Sequence, residues 1–107
     1  MIRKEEISRF TGGWFLGNFS PAITQMSEVE VGVKYFKKGD REASHKQNIS
    51  TEITVIHTGI VRIGDMDLCQ GDILVIPPGE YADFEALSDG SLTCVKFPSI
   101  PNDKILL

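Results

Sequence analysis

The chain has 107 residues, enough for one domain and too few for two. A formal charge of −4, a pI near 5.1 and interspersed charges with no Lys/Arg block leave no electrostatic footprint for nucleic acid. No apolar run approaches the roughly 20 residues of a membrane span, and Met1-Ile2-Arg3-Lys4-Glu5-Glu6 has no apolar stretch behind its charges, so neither a membrane segment nor a secretory signal is expected.

In chain order, residues 2–9 read as a short turn or helical piece. Trp14-Phe15-Leu16-Gly17-Asn18-Phe19 reads as a strand that ends at Ser20-Pro21. Val29, Val31, Val33 and Tyr35 alternate with Glu30, Gly32 and Lys34, which predicts a strand with one apolar face. Lys37-Lys38-Gly39-Asp40 is a turn. His45 and Gln47, two apart, share one face of a strand. Glu52, Thr54 and Ile56 share one face of the next strand, and Ile53, Val55 and His57 the other. Gly64-Asp65 is a hairpin turn between Ile60–Ile63 and Met66–Cys69. Ile73-Leu74-Val75-Ile76 predicts a strand buried on both faces, broken by Pro77-Pro78-Gly79. Strands follow over Tyr81–Ala86 and Leu92–Phe97, then an extended tail with a turn at Pro101-Asn102-Asp103. Short strands punctuated this often, with no amphipathic helix, predict an all-β sandwich or barrel. Cys69 and Cys94 lie in probable strands, and reduced thiols in a cytosolic (cytoplasmic) setting are expected.

Two segments carry more. Gly39, His45, Gln47, Glu52 and Gly59 form Gly-x5-His-x-Gln-x4-Glu-x6-Gly, and Gly71-x5-Pro77-x-Gly79 follows. Together they resemble the paired motifs of the cupin superfamily, Gly-x5-His-x-His-x4-Glu-x6-Gly and a second motif ending Pro-x-Gly-x2-His. The resemblance covers about residues 29–97. It implies a jelly-roll barrel, or double-stranded β-helix, as one domain over 1–107, with an N-terminal strand segment at 13–20 and a tail at 98–107.

The resemblance also implies a site. In the family a metal sits inside the barrel, held by imidazoles from two strands and one carboxylate. His45 matches the first ligand and Glu52 the carboxylate, while Gln47 stands at the second His position and Ala82 at the third. A divalent ion (Zn, Fe, Ni or Mn) would then have His45, Gln47 and Glu52 as its protein donors, with water in the open positions. The alternative is a metal-free pocket in which His45 and Glu52 form a hydrogen-bonded pair, and His45 acts as a base oriented by Glu52. Ala82 enlarges the pocket, and Tyr35 and Phe84 line it by parity. His57, Glu80 and Asp83 are weak substitutes for the missing ligand, and His57 is expected on the outer sheet face. Asp40-Arg41-Glu42 reads as solvated turn. Trp14 lies outside the motif barrel, where it covers an edge or enters an interface.

Two functional classes remain. One is a small-molecule-binding cupin of unassigned activity with a weak metal site. The other is a metal-dependent enzyme of the dioxygenase, decarboxylase or sugar isomerase/epimerase type. A homodimer built on the Ile53/Val55 face and the Trp14-Phe15-Leu16 segment is the expected assembly.

Overall fold

The computed structural model describes all 107 residues. Two 3₁₀ turns, Ile7–Arg9 and Thr11–Gly13, precede ten strands: β1 (Trp14–Leu16), β2 (Glu30–Phe36), β3 (Arg41–Gln47), β4 (Thr51–Thr58), β5 (Val61–Ile63), β6 (Met66–Leu68), β7 (Ile73–Ile76), β8 (Ala82–Ala86), β9 (Gly90–Phe97) and β10 (Lys104–Leu106). They form two five-stranded sheets, ordered β1-β2-β9-β4-β7 and β10-β3-β8-β5-β6. Every strand pairing within the sheets is antiparallel.

Register decides what enters the space between the sheets. In the first sheet, Gly32, Cys94, Thr54 and Leu74 stand in one row across four strands. Glu30, Lys96, Glu52 and Ile76 make a second row, and Lys34, Leu92 and Ile56 a third. Side chains alternate along each strand, so all three rows face inward. At one end of the barrel the inward residues are apolar. Phe36, Ile56, Val61, Ile63, Leu68, Phe84, Ala86 and Leu92 make one buried cluster there. Phe36 and Phe84 meet edge to face with centroids 5.9 Å apart, a geometry that suits the ring quadrupoles. Toward the other end the same strands carry Glu52, Lys96, Ala82 and Gln47.

The predicted turns form as expected. Asp40 caps the turn after β2, its carboxylate accepting the Lys37 amide at 2.9 Å. Gly64-Asp65 joins the β5–β6 hairpin.

Three sequence expectations shift. The alternation in β2 has the right period but the wrong side. Gly32 and Phe36 are buried, whereas Tyr35 is 70% exposed on the outer face. The inward face carries Glu30, Gly32, Lys34 and Phe36, and the outer face Val31, Val33 and Tyr35, so the more apolar face points outward and alternation picks the wrong side. Ile73–Ile76 is an edge strand with one free face, not doubly buried. Leu74 and Ile76 point inward, while Ile73 and Val75 are 62% and 57% exposed. The C-terminal tail turns and adds β10 to the second sheet, pairing Lys104 with Gln47 and Leu106 with His45. Asp103 fixes that turn by accepting the amides of Ile49 and Ser50 at 2.9 Å each.

Candidate binding site inside the barrel

A cavity of about 370 Å³ opens between the sheets beside the apolar cluster. His45, Gln47, Glu52, Ala82 and Phe84 all border it. Tyr35 does not, for the reason of register given above.

Strand β3 supplies the cavity with more than simple alternation allows. Glu42 faces Phe84 and His45 faces Ala82 across the β3–β8 ladder. Two residues, Ala43 and Ser44, therefore oppose one, Asp83, which is the count of a β-bulge. The extra residue resets the pleat, so Glu42 and His45, three apart, both turn inward. Glu42 was read from sequence as solvated turn; instead it borders the cavity and pairs with Lys34 at 2.8 Å. Partial burial works to raise the Glu42 carboxyl, but the hydrogen bond and charge of Lys34 outweigh it and hold the group below its ordinary range. The Lys34 ammonium also lies 4.6 Å from the centre of the Phe84 ring.

His45 is oriented by its own strand. Its Nδ1 lies 3.0 Å from the Ala43 carbonyl oxygen, an acceptor only, so Nδ1 carries the proton. In the neutral ring this leaves Nε2 as a free acceptor.

Gln47 is 4% exposed, and its side-chain amide makes no hydrogen bond within the protein; the amide nitrogen is fully buried. Only its main chain is engaged. The Gln47 carbonyl accepts the Gly79 amide at 2.9 Å, which ties the Pro77-Pro78-Gly79 turn of the second motif to the end of β3. A buried amide without partners costs about 1–3 kcal/mol. Gln47 lines the cavity, so turning the amide about its last torsion brings its buried end within reach of a partner there.

Glu52 and Lys96 are cross-strand neighbours on β4 and β9. Their charges lie 3.8 Å apart, with side chains 13% and 14% exposed. The Lys96 ammonium also lies 4.9 Å from the Trp14 ring. Trp14, on the edge strand β1, thus closes one edge of the cavity, the first of the two roles expected of it. Gly32 makes this possible, because a Cβ there would come within 2.7 Å of the indole. Gly13, with φ near +82°, brings the chain so close to the Val33 carbonyl that any Cβ would overlap it. Cys94 sits beside Glu52; burial first, and then the Glu52 charge, push its thiol far above the ordinary range and keep it protonated.

His45 and Glu52 do not form the hydrogen-bonded pair expected from sequence. His45 bonds to Ala43, and the charge partner of Glu52 is Lys96. Glu80 and Asp83 border the cavity, yet no group of three or more His, Cys, Asp or Glu side chains is placed to hold a metal ion. His57 faces outward, bonded to Thr93 Oγ1 at 2.6 Å and Ser91 Oγ at 3.2 Å. The donors toward a transition metal are one imidazole, one amide and a carboxylate already balanced by an ammonium. This set does not fit a tightly held ion, because the metal would compete with Lys96 for Glu52.

Lys96, Lys34 and Trp14 were missed as cavity residues by sequence reasoning. Lys96 could have been found from parity with Leu92 and Cys94. Lys34 was hidden by the side error in β2, and Trp14 by its distance from the motifs.

No family model matches this sequence, and no curated protein does. Solved structures match throughout the chain. An uncharacterized conserved protein with a double-stranded β-helix domain from Klebsiella pneumoniae subsp. pneumoniae aligns with a TM-score of 0.71 at 17% identity, covering 97% of this chain and 90% of that one. KdgF from Halomonas sp. aligns with a TM-score of 0.65 at 19% identity, covering 76% and 79%. Oxalate decarboxylase from Bacillus subtilis aligns with a TM-score of 0.67 at 18% identity; 76% of this chain covers only 24% of that longer one. The chain therefore has the double-stranded β-helix fold of the cupin superfamily, as its paired motifs suggested. Enzymes and uncharacterized proteins alike share that architecture, so the fold alone names no reaction.

Proposed function

We propose that this protein binds a small polar organic molecule inside the barrel. The observation that carries the reading is the Gln47 amide, buried on the cavity wall without a protein partner. Around it the cavity offers the donors of Lys96 and the acceptors of Glu52 and His45 Nε2, with Trp14 and Phe84 as aromatic walls. Mixed donors and acceptors of this kind suit a ligand carrying both hydroxyl groups and a carbonyl or carboxylate. Trp14 is the only tryptophan and borders the cavity, so it reports occupancy directly. Titration with a panel of small hydroxylated carbonyl compounds and acids should change its fluorescence saturably for at least one member. The same titration of Gln47→Leu should lose the response at least tenfold. Equal responses from both proteins, or none from either, would refute the reading.

A catalytic version is favoured by one feature, the His45 ring at the cavity border with Nδ1 committed to the Ala43 carbonyl and Nε2 unbonded. There His45 takes a proton from the bound ligand, and Glu52 and Lys96 balance the charge that develops. A pH–rate profile that loses its base limb in His45→Gln tests this step once a turned-over compound is found.

The assembly we propose is a homodimer through the outer face of the β1-β2-β9-β4-β7 sheet. Val31, Val95, Ile53 and Val75 form one apolar row across it, with the exposed Ile73 and Tyr35 alongside. A face this apolar suits a twofold contact with its own copy. Cys69 and Cys94 are both unpaired, which suits a reducing, cytosolic compartment.

A further inference from the structure

The charges inside the barrel are compensated from within. Glu52 faces Lys96 at 3.8 Å, and Glu42 faces Lys34 at 2.8 Å. Both lysines lie on strands of the first sheet and border the cavity; Lys34 stays partly exposed, whereas Lys96 is enclosed against the ordinary tendency of lysine to seek the surface. The Lys96 ammonium lies over the Trp14 ring. We propose that Lys96 is the resident cation of this barrel: it neutralises Glu52 in place of a metal ion and keeps divalent ions off the His45–Gln47–Glu52 set.

Two observations converge on this. The motif carboxylate Glu52 has an ammonium as its charge partner, and Lys96 is that partner through strand register, not through a flexible loop. The position across the ladder from His45 is Ala82, which offers no donor that could outcompete the lysine. The inference concerns the same cavity as the proposed ligand but does not depend on that ligand's identity.

The test is calorimetric titration of the full chain with ZnCl2 and with MnCl2, after dialysis against chelator. Wild type should bind neither ion more tightly than the millimolar range. Lys96→Met keeps the stem and removes the charge; it should bind Zn2+ at least tenfold more tightly, and Zn2+ should raise its melting temperature but not that of wild type. Adding Glu52→Gln to Lys96→Met should abolish the gain, which shows that the freed carboxylate is the site. If Lys96→Met does not fold, Lys96→Gln carries the same comparison with a polar, uncharged side chain. Tight stoichiometric metal in wild type overturns the proposal, as does a Lys96 variant whose metal affinity is unchanged. The Trp14 titration with organic compounds is a separate readout, so failure here does not decide the ligand reading, nor the reverse.

Discussion

The two ends of this barrel are built from the same strands and do opposite things. On β4, Ile56 sits in the apolar cluster while Glu52, four residues earlier, faces the cavity. On β9, Leu92 belongs to the cluster at the cavity's apolar border, while Lys96, four residues on, stands at its charged side. Because inward positions recur every second residue, a strand of eight residues can serve a packed end and a chemical end at once. The apolar end fixes the sheets, and the polar end can then hold an unpartnered amide and two internal ion pairs. The contrast is that of a stability region carrying a functional one.

The largest effect should come from the apolar end. Ile56 is essentially fully buried, and Ile56→Ala should cost about 2–5 kcal/mol, measured by denaturant unfolding. A cost below about 1 kcal/mol would mean that the end is not close-packed.

A pH effect is expected at the turn before β10. Burial works to raise the Asp103 carboxyl, but the amides of Ser50 and Ile49 outweigh it, and the group lies below its ordinary value. A depressed carboxylate contributes stability that is present above its unfolded pKa of about 3.9 and is lost as pH falls through the folded value. Thermal unfolding between pH 6 and pH 3 should therefore show an acid loss, and Asp103→Asn should flatten it.

The Gln47 amide should give a smaller effect with the reverse sign. Gln47→Leu removes an unpaired buried polar group at similar volume and should stabilise the ligand-free protein by about 1 kcal/mol. Destabilisation instead would show that the amide is already satisfied inside the protein.

The smallest effect belongs to the outer face. Tyr35→Ser should change monomer stability by no more than about 0.5 kcal/mol. Sedimentation of wild type should show a concentration-dependent dimer that this substitution weakens.

The fold was legible because glycine, proline and strand alternation repeat a consistent message along the chain, and the spacing from Gly39 to Gly79 places two strand pairs in register. The inward set on β4 followed from parity alone. Three parts of the site were not legible for physical reasons. The bulge at Ala43-Ser44 breaks parity on β3, and alternation cannot announce an extra residue in advance. The β2 strand is more apolar on its outer face than on its inner one, so apolar alternation puts Tyr35 inside and hides Lys34. Trp14 arrives from an N-terminal strand joined to the sheet by long-range pairing, which no local pattern encodes.

The most direct test is a crystal structure at a resolution that shows ordered water. The account predicts water or an organic molecule within about 2.7–3.2 Å of the Gln47 amide, with the Lys96 ammonium turned toward Glu52. A metal ion bound jointly by His45 and Glu52, with Lys96 swung out to solvent, would contradict it.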